Sequence, residues 1–505
     1  MQSCSTSAAG SGESRHNSAV ATDSRRLCIA LFSLFSSWLL AFPFEGKILY
    51  ALAEYYAVPA QPFVFQAMAE HFVGLIVCGF FVRSMRAAKK LVLFSIASCL
   101  AASGVFFFPP SFLWTAALLA AAFLSGACVA ACGFYFKACF PKNERYKAIA
   151  DVLIFSNVLM ILLHMAAIHL SPQAGLGCAM LALCAAFLFA LRLPEAAHAR
   201  EAPPEPKPPV PPASGQAAAP PGQGGMHDSV AVPLAFLCLF VVIVTTNAGL
   251  MYQVISPAFA NLEWLASWYW AAPYIAALFV MRNLPRTTDR AYILYVAIAM
   301  FGFAFIAFHL LGRSWADYLL INTLLLGACG VYDLFWWSIL GEMLELGKNP
   351  AKILGFGLSA NVLGVLLGKL IGNAITQTAG ESQNITLLAM GVACATFVLL
   401  PPLHKRLAAL LTSHIYLTEF VEMPAQEQAR RVREFKLDER LTEREAEVTA
   451  MLLQGKTYKA IGEALFVSEN TIRSHVKNIY AKAGVTSRAE LLHLLLHPPD
   501  SSPEA

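Results

Sequence analysis

Asn470, Thr471, Arg473, Ser474, Lys477 and Asn478 fall on one side of the stretch 469–482 at helical spacing, while Ile472, Val476 and Ile479 recur on the other. Cationic, hydroxyl and amide groups in front of an apolar seam make a surface that can hold phosphates and read base edges in a groove. The only acidic residue there, Glu469, sits at the N-terminus, where a helix dipole favours it. Charge alone would describe a solvated amphipathic helix about as well. No other stretch gathers residues of catalytic type. There is no Gly-rich phosphate loop, no GxSxG and no His/Cys/Asp metal spacing. The chain is therefore expected to be no enzyme and to need no cofactor or metal.

The elements that must position this surface are short helices. Thr442 and Glu445 form an S/T-x-x-E capping box that opens a helix running to about Gln454, with Val448, Met451 and Leu452 on one face and Gly455 as its stop. Thr457 opens a second helix to about Phe466, and the link Val467-Ser468-Glu469 is short. The third helix, 469–482, ends before Gly484, and a fourth covers 487–496. Two helices joined by a short turn, the second one basic, give the helix-turn-helix pattern.

This stretch resembles the LuxR-type DNA-binding domain, a four-helix module of bacterial regulators. The opening L-T-x-R-E-x-E-V is matched by Leu441, Thr442, Arg444, Glu445, Glu447 and Val448. The central motif is matched by Ile461, Leu465, Val467, Ser468, Thr471, His475, Asn478, Ile479 and Lys482. Gly462, Ile472 and Ala483 replace the usual Ala, Val and Leu. The resemblance implies double-stranded promoter DNA as partner, phosphate contacts by Thr471 and Lys482, and a major-groove face of Arg473, Ser474 and Lys477. Ser468, Asn470 and Asn478 complete the candidate DNA-binding set. It also implies a homodimer through the last helix, where Leu491, Leu492, Leu494 and Leu495 supply the surface.

The rest of the chain is of another kind. Of 505 residues, 57% are hydrophobic and 13% charged, against about 25% charged in a soluble domain. Mean hydropathy is +0.58, so a lipid bilayer is the second expected partner. Most of the 12 cysteines lie in apolar runs, with no CxxC, and are read as small apolar fillers. A span needs roughly 20 apolar residues. Residues 91–136 carry no charge and break at Pro109-Pro110-Ser111, and 152–191 breaks at Ser171-Pro172-Gln173. With runs near 28–46 and 61–82 the first half holds six spans. Runs near 231–253, 262–282, 291–311, 315–340, 353–376 and 384–403 give six more.

Lys and Arg gather in the even-numbered loops: Arg83, Arg86, Lys89 and Lys90; Lys137, Lys142, Arg145 and Lys147; Arg282, Arg286 and Arg290; Lys348 and Lys352. By the positive-inside rule these loops and both termini are cytoplasmic, in a bacterial inner membrane. The aromatic cluster Trp264, Trp268, Tyr269 and Trp270 then falls at the outer interface.

The expected fold is all-α: a polytopic membrane domain of twelve transmembrane helices in two six-helix halves, then a C-terminal four-helix helix-turn-helix domain. The expected boundaries are 1–26, a disordered tail; 27–193, the first half; 194–228, a Pro-rich linker; and 229–403, the second half. A connector at 404–437, the DNA-binding domain at 438–497 and a tail at 498–505 follow. Two six-span halves with basic loops at equivalent places resemble the major facilitator superfamily. FVRSMRAAKK after span 2 lacks the Asp and glycines of that family's loop motif, and MRNLPRTTDR after span 8 keeps Arg286, Asp289 and Arg290.

Polar residues at membrane depth need a partner or a role. Glu70, His71, Asn157, Asn247, Tyr332, Asp333 and Lys369 are the candidate ligand-sensing set. Glu70 and Lys369 lie at similar depth on spans that the superfamily fold makes neighbours. They are expected either to pair across the halves, as a latch a ligand could break, or to serve packing, since Gly364, Gly368 and Gly372 give span 11 a smooth face. The reading is a membrane-bound one-component transcription regulator whose transporter-like part senses a small molecule. The alternative is a secondary transporter whose tail regulates its own gene.

Overall fold

The computed structural model describes residues 7–44, 46–195, 228–284, 290–344, 347, 349–378, 391, 394–395, 398, 423, 425–438, 441–453, 456, 458–486 and 488–496. Most of the expected twelfth span, most of the Pro-rich linker, Arg286, Asp289, Lys348, Gly455 and Thr457 lie outside them. The described residues are helical, with no strand among them. They fall into two units, 1–205 with 237–400, and 206–236 with 401–505.

The first unit opens with α1 (Ser7–Ala41), the short α2 (Lys47–Tyr55), α3 (Gln61–Phe81) and α4 (Met85–Gly104). Then come α5 (Phe112–Cys139), α6 (Lys142–His169) and α7 (Pro172–Arg192). Helix α1 begins at Ser7, although the composition of 1–26 suggested an unfolded tail. Both expected breaks are present, each made by a serine N-cap: Ser111 Oγ accepts from Leu113 N at 3.3 Å, and Ser171 Oγ from Ala174 N at 3.0 Å. Pro172 takes the first helical position, where its missing N–H costs nothing.

The second half holds α8 (Asp228–Leu250), α9 (Ala272–Asn283), α10 (Arg290–Leu310), α11 (Trp315–Met343) and α12 (Pro350–Thr378). Among the described residues ten helices, not twelve, are long and apolar enough to cross a membrane. The twelfth span is outside the description. The eighth, expected at 262–282, is broken: short turns at Ala260–Leu262, Glu263–Ala266 and Tyr269–Ala271 lead into the 12-residue α9. Pro257 and Pro273 each remove a backbone donor at the edges of this stretch, and its bulky aromatics pack as a cluster, Trp264 on Trp268 on Tyr269. Helix α8 also widens into a five-residue π turn at Met251–Ile255.

Small residues set how closely these helices cross. A Cβ at Gly368 would lie 2.1 Å from the Thr246 carbonyl oxygen, and one at Gly364 would lie 2.7 Å from that of Val242. The smooth face of span 11 is thus spent on α8, as small residues spaced by four allow. On its other side α12 meets α3, where Gly355 faces the Leu75 carbonyl and Gly79 faces the Lys352 backbone. Large apolar side chains such as Phe94, Leu113, Leu181, Leu188 and Phe303 point outward, which a lipid-facing surface requires.

Helices before and after the linker meet through polar contacts near the basic loops. Arg282 grips Asp151 with Nε–Oδ1 at 2.5 Å and Nη2–Oδ2 at 3.0 Å. Buried Arg145 donates to the carbonyls of Phe136, Phe140 and Lys137 in its own half, and to that of Gly341 in the other at 3.1 Å. Asn349 Nδ2 donates to the carbonyls of Gly79 and Val82, at 2.8 and 3.0 Å. These donors satisfy helix-end carbonyls that would otherwise be left without partners.

The second unit contains α13 (Ala425–Asp438), α14 (Glu443–Leu453), α15 (Tyr458–Leu465), α16 (Glu469–Lys482) and α17 (Arg488–Leu496). Its core joins Val448, Leu452, Ile461, Ile472, Val476 and Ile479 to the leucines of α17. Val432 and Phe435 of α13 belong to the same core. The C-terminal half of the expected connector is therefore a fifth helix of this domain.

Candidate nucleic-acid interface and membrane cavity

The sequence-derived set lies at the start of and along α16. Ser468, Asn470, Thr471, Arg473, Ser474, Lys477, Asn478 and Lys482 are all exposed, while Ile472, Val476 and Ile479 are buried. Ser468 is the N-cap: its Oγ accepts from Thr471 N at 3.1 Å and lies 2.8 Å from Thr471 Oγ1. The capped helix end presents free N–H groups and two hydroxyls, an arrangement suited to a phosphate. Arg473 is held along its own helix by Glu469, Nη2–Oε1 2.7 Å, but remains 63% exposed. Lys477 lies a turn further on the same face.

Lys482 also has a partner inside the domain. Its ammonium lies 2.7 Å from Oε2 of Glu445, a carboxylate only 6% exposed. Glu445 closes the capping box as well, accepting from Thr442 N at 2.8 Å while Thr442 Oγ1 accepts from Glu445 N at 3.2 Å. Burial pushes the Glu445 carboxyl up, but Lys482 and Thr442 together hold it below the usual carboxylate range. One residue thus ties α14 to the end of α16. Arg444 ties α14 to α15, donating to the Leu465 carbonyl at 2.6 Å.

The turn before α16 is tight. Phe466 stands in the left-handed region at φ 58° and is 94% exposed. A Cβ at Gly462 would sit 2.7 Å from the Val467 carbonyl oxygen, so the backbone of the turn comes closer here than an alanine would allow without a shift.

The leucines expected to dimerise are otherwise engaged. Leu491, Leu492 and Leu495 are buried in the domain's own core, and Leu494 packs partly against it. Arg431 of α13 donates to the carbonyls of Leu495 and Leu496, at 3.2 and 3.0 Å, so α13 lies over the end of α17.

In the membrane unit a cavity of about 250 Å³ opens between the halves. Of the expected polar set His71, Asn157, Tyr332 and Asp333 line it; Glu70, Asn247 and Lys369 do not. Asp333 Oδ2 accepts from Tyr274 Oη at 2.8 Å and Oδ1 from Trp336 Nε1 at 3.1 Å. His71 Nδ1 lies 2.8 Å from Ser125 Oγ. Sequence reading missed Tyr252, Trp270, Tyr274 and Trp337 in the lining. Two of them flank irregular backbone, Tyr252 in the π turn and Trp270 in the broken span, where helical counting misplaces side chains.

Glu70 and Lys369 do not pair. The contacts of Gly79 with Lys352 and of Gly355 with Leu75 make α3 and α12 antiparallel. That register sets Glu70 beside about residue 360, some nine residues from Lys369, or roughly 13 Å of helix. Buried Lys369 instead lies toward α8, its Nζ 6.0 Å from the Tyr252 ring centroid.

Comparison with known proteins agrees with both geometries. The model of the bacterial regulatory proteins, luxR family, matches residues 439–495. The spore germination protein GerE of Bacillus subtilis (strain 168) is 44% identical over 64 residues, 13% of this chain and 86% of GerE. The transcriptional regulatory protein LiaR of the same organism is 42% identical over 52 residues, 10% of this chain and 25% of LiaR. The chain belongs to the luxR family, by a DNA-binding domain fused behind a membrane unit.

That unit shares its fold with the human organic anion transporter MFSD10 (TETRAN), at 15% identity and TM-score 0.54, over 75% of this chain and 99% of the transporter. The major facilitator superfamily transporter FucP, in the outward conformation, aligns at 14% identity and TM-score 0.48, over 74% of this chain and 97% of FucP.

Proposed function

We propose that the chain is a membrane-bound one-component transcription regulator of the bacterial inner membrane. A small molecule entering the cavity shifts the two halves of the membrane unit, and the shift controls DNA binding by α16. The observation that carries this reading is that one polypeptide joins a luxR-family reading helix to a transporter-fold unit with a lined central cavity. The basic even-numbered loops support cytoplasmic termini, which would leave the reading helix facing DNA.

The DNA-facing roles proposed are phosphate binding at the capped end, by Ser468 and Thr471, and groove reading by Asn470, Arg473, Ser474, Lys477 and Asn478. Chromatin immunoprecipitation of the full-length chain tests them. Discrete promoter fragments should be recovered and then lost in an Arg473→Ala, Lys477→Ala double variant that still reaches the membrane. Equal recovery with that variant would sink the assignment. Transcription from the recovered promoter should respond to a small molecule that Trp337→Ala makes ineffective. Uptake of that molecule into proteoliposomes would favour a transporter with an autoregulatory tail.

A further inference from the structure

We infer that the cavity takes an organic monocation, an ammonium group carried on a small aromatic or apolar body; this rests on reading the cavity as the signal site. Asp333 is the only carboxylate among the described lining residues, and no lysine or arginine is among them. Both its hydrogen-bond donors, Tyr274 and Trp336, are neutral. Each oxygen keeps a free acceptor position, and no Lys, Arg or His forms an ion pair with it among the described residues. A carboxylate in such surroundings gains most from a countercharge brought in by the ligand.

The walls suit the rest of such a ligand. Rings of Phe44, Tyr252, Trp270, Phe301 and Trp337 line the cavity. Aromatic faces attract a cation by their quadrupole and pack an apolar body equally well. An organic anion would meet those same negative faces and the Asp333 carboxylate, with His71 already engaged by Ser125. At about 250 Å³ the cavity is below the drug-sized range of roughly 300–1,000 Å³, so the ligand is small.

The test uses the full chain in lipid nanodiscs and three probes of one shape: 2-phenylethylammonium, 2-phenylethanol and 3-phenylpropanoate. Binding is read by tryptophan fluorescence and titration calorimetry against empty nanodiscs. The amine should bind at least about tenfold tighter than the carboxylate. Asp333→Asn should lose that preference while holding the alcohol within about twofold. Should Asp333→Asn fail to fold, Tyr274→Phe replaces it, because it keeps the carboxylate and frees an acceptor position; amine binding should then be equal or tighter. Preference for 3-phenylpropanoate, or unchanged amine binding by Asp333→Asn, overturns the cation assignment and leaves the cavity as a signal site. Failure of all three probes to bind overturns both.

Discussion

Two lysines on one helix have different surroundings, and their substitutions should separate. Lys477 projects from the exposed face, so Lys477→Ala should weaken binding to the preferred promoter and relax base preference at the position it reads, by about 1–3 kcal/mol, with no change in melting temperature. Lys482 neutralises a buried carboxylate, so Lys482→Ala should cost about 1–3 kcal/mol of domain stability, seen as faster hydrogen exchange across α14. The same pair sets a pH dependence. A carboxyl whose folded pKa is depressed contributes stability fully above its unfolded value. That contribution is lost as pH falls through the lower folded value, and Glu445→Gln should abolish this acid-side loss. At the turn, exposed Phe466 pays for a left-handed backbone with no burial in return. Phe466→Asn should raise the unfolding free energy by about 0.5–1 kcal/mol, read from denaturant titration, since asparagine enters that region readily.

At the scale of elements, α13 was the least legible. Its charge-rich sequence reads as a solvated connector, because only Val432 and Phe435 are apolar enough to anchor it, and their place lies on leucines far along the chain. The capping box, the turn and the face of α16 were legible because they are local: spacing, caps and periodicity fix them. Val432→Asp should loosen α13 from α17 and destabilise the domain by about 2–4 kcal/mol, read by protease sensitivity at 425–438. In the membrane unit the α6–α9 clasp is a bidentate pair between the halves. Asp151→Arg should open the basic-loop end to a cysteine-directed reagent, and Asp151→Arg with Arg282→Asp should restore protection.

At the scale of the molecule, apolar run length and turn signals led to an expectation of twelve spans, and ten helices of that length and character are found among the described residues. Broken helices defeat that counting, as at 256–271, where short turns and edge-to-face aromatic rings replace a continuous span. Depth along a helix, read from residue number, placed Glu70 level with Lys369. Packing register decided otherwise, since it depends on glycines that let α3 approach α12. Four of the seven expected polar residues still reached the cavity: His71, Asn157, Tyr332 and Asp333 face it because membrane interiors tolerate polar groups mainly there.

The position of α13 over α17 has a consequence in the language of competition. A covering helix joined to its domain by only a few residues, 439–442, acts on that leucine surface at a local concentration of order millimolar. A second copy arriving by diffusion must exceed that figure, or arrive when α13 has been drawn away. Any self-association through that end of α17 would then depend less on how many copies the membrane holds than on whether α13 stays in place.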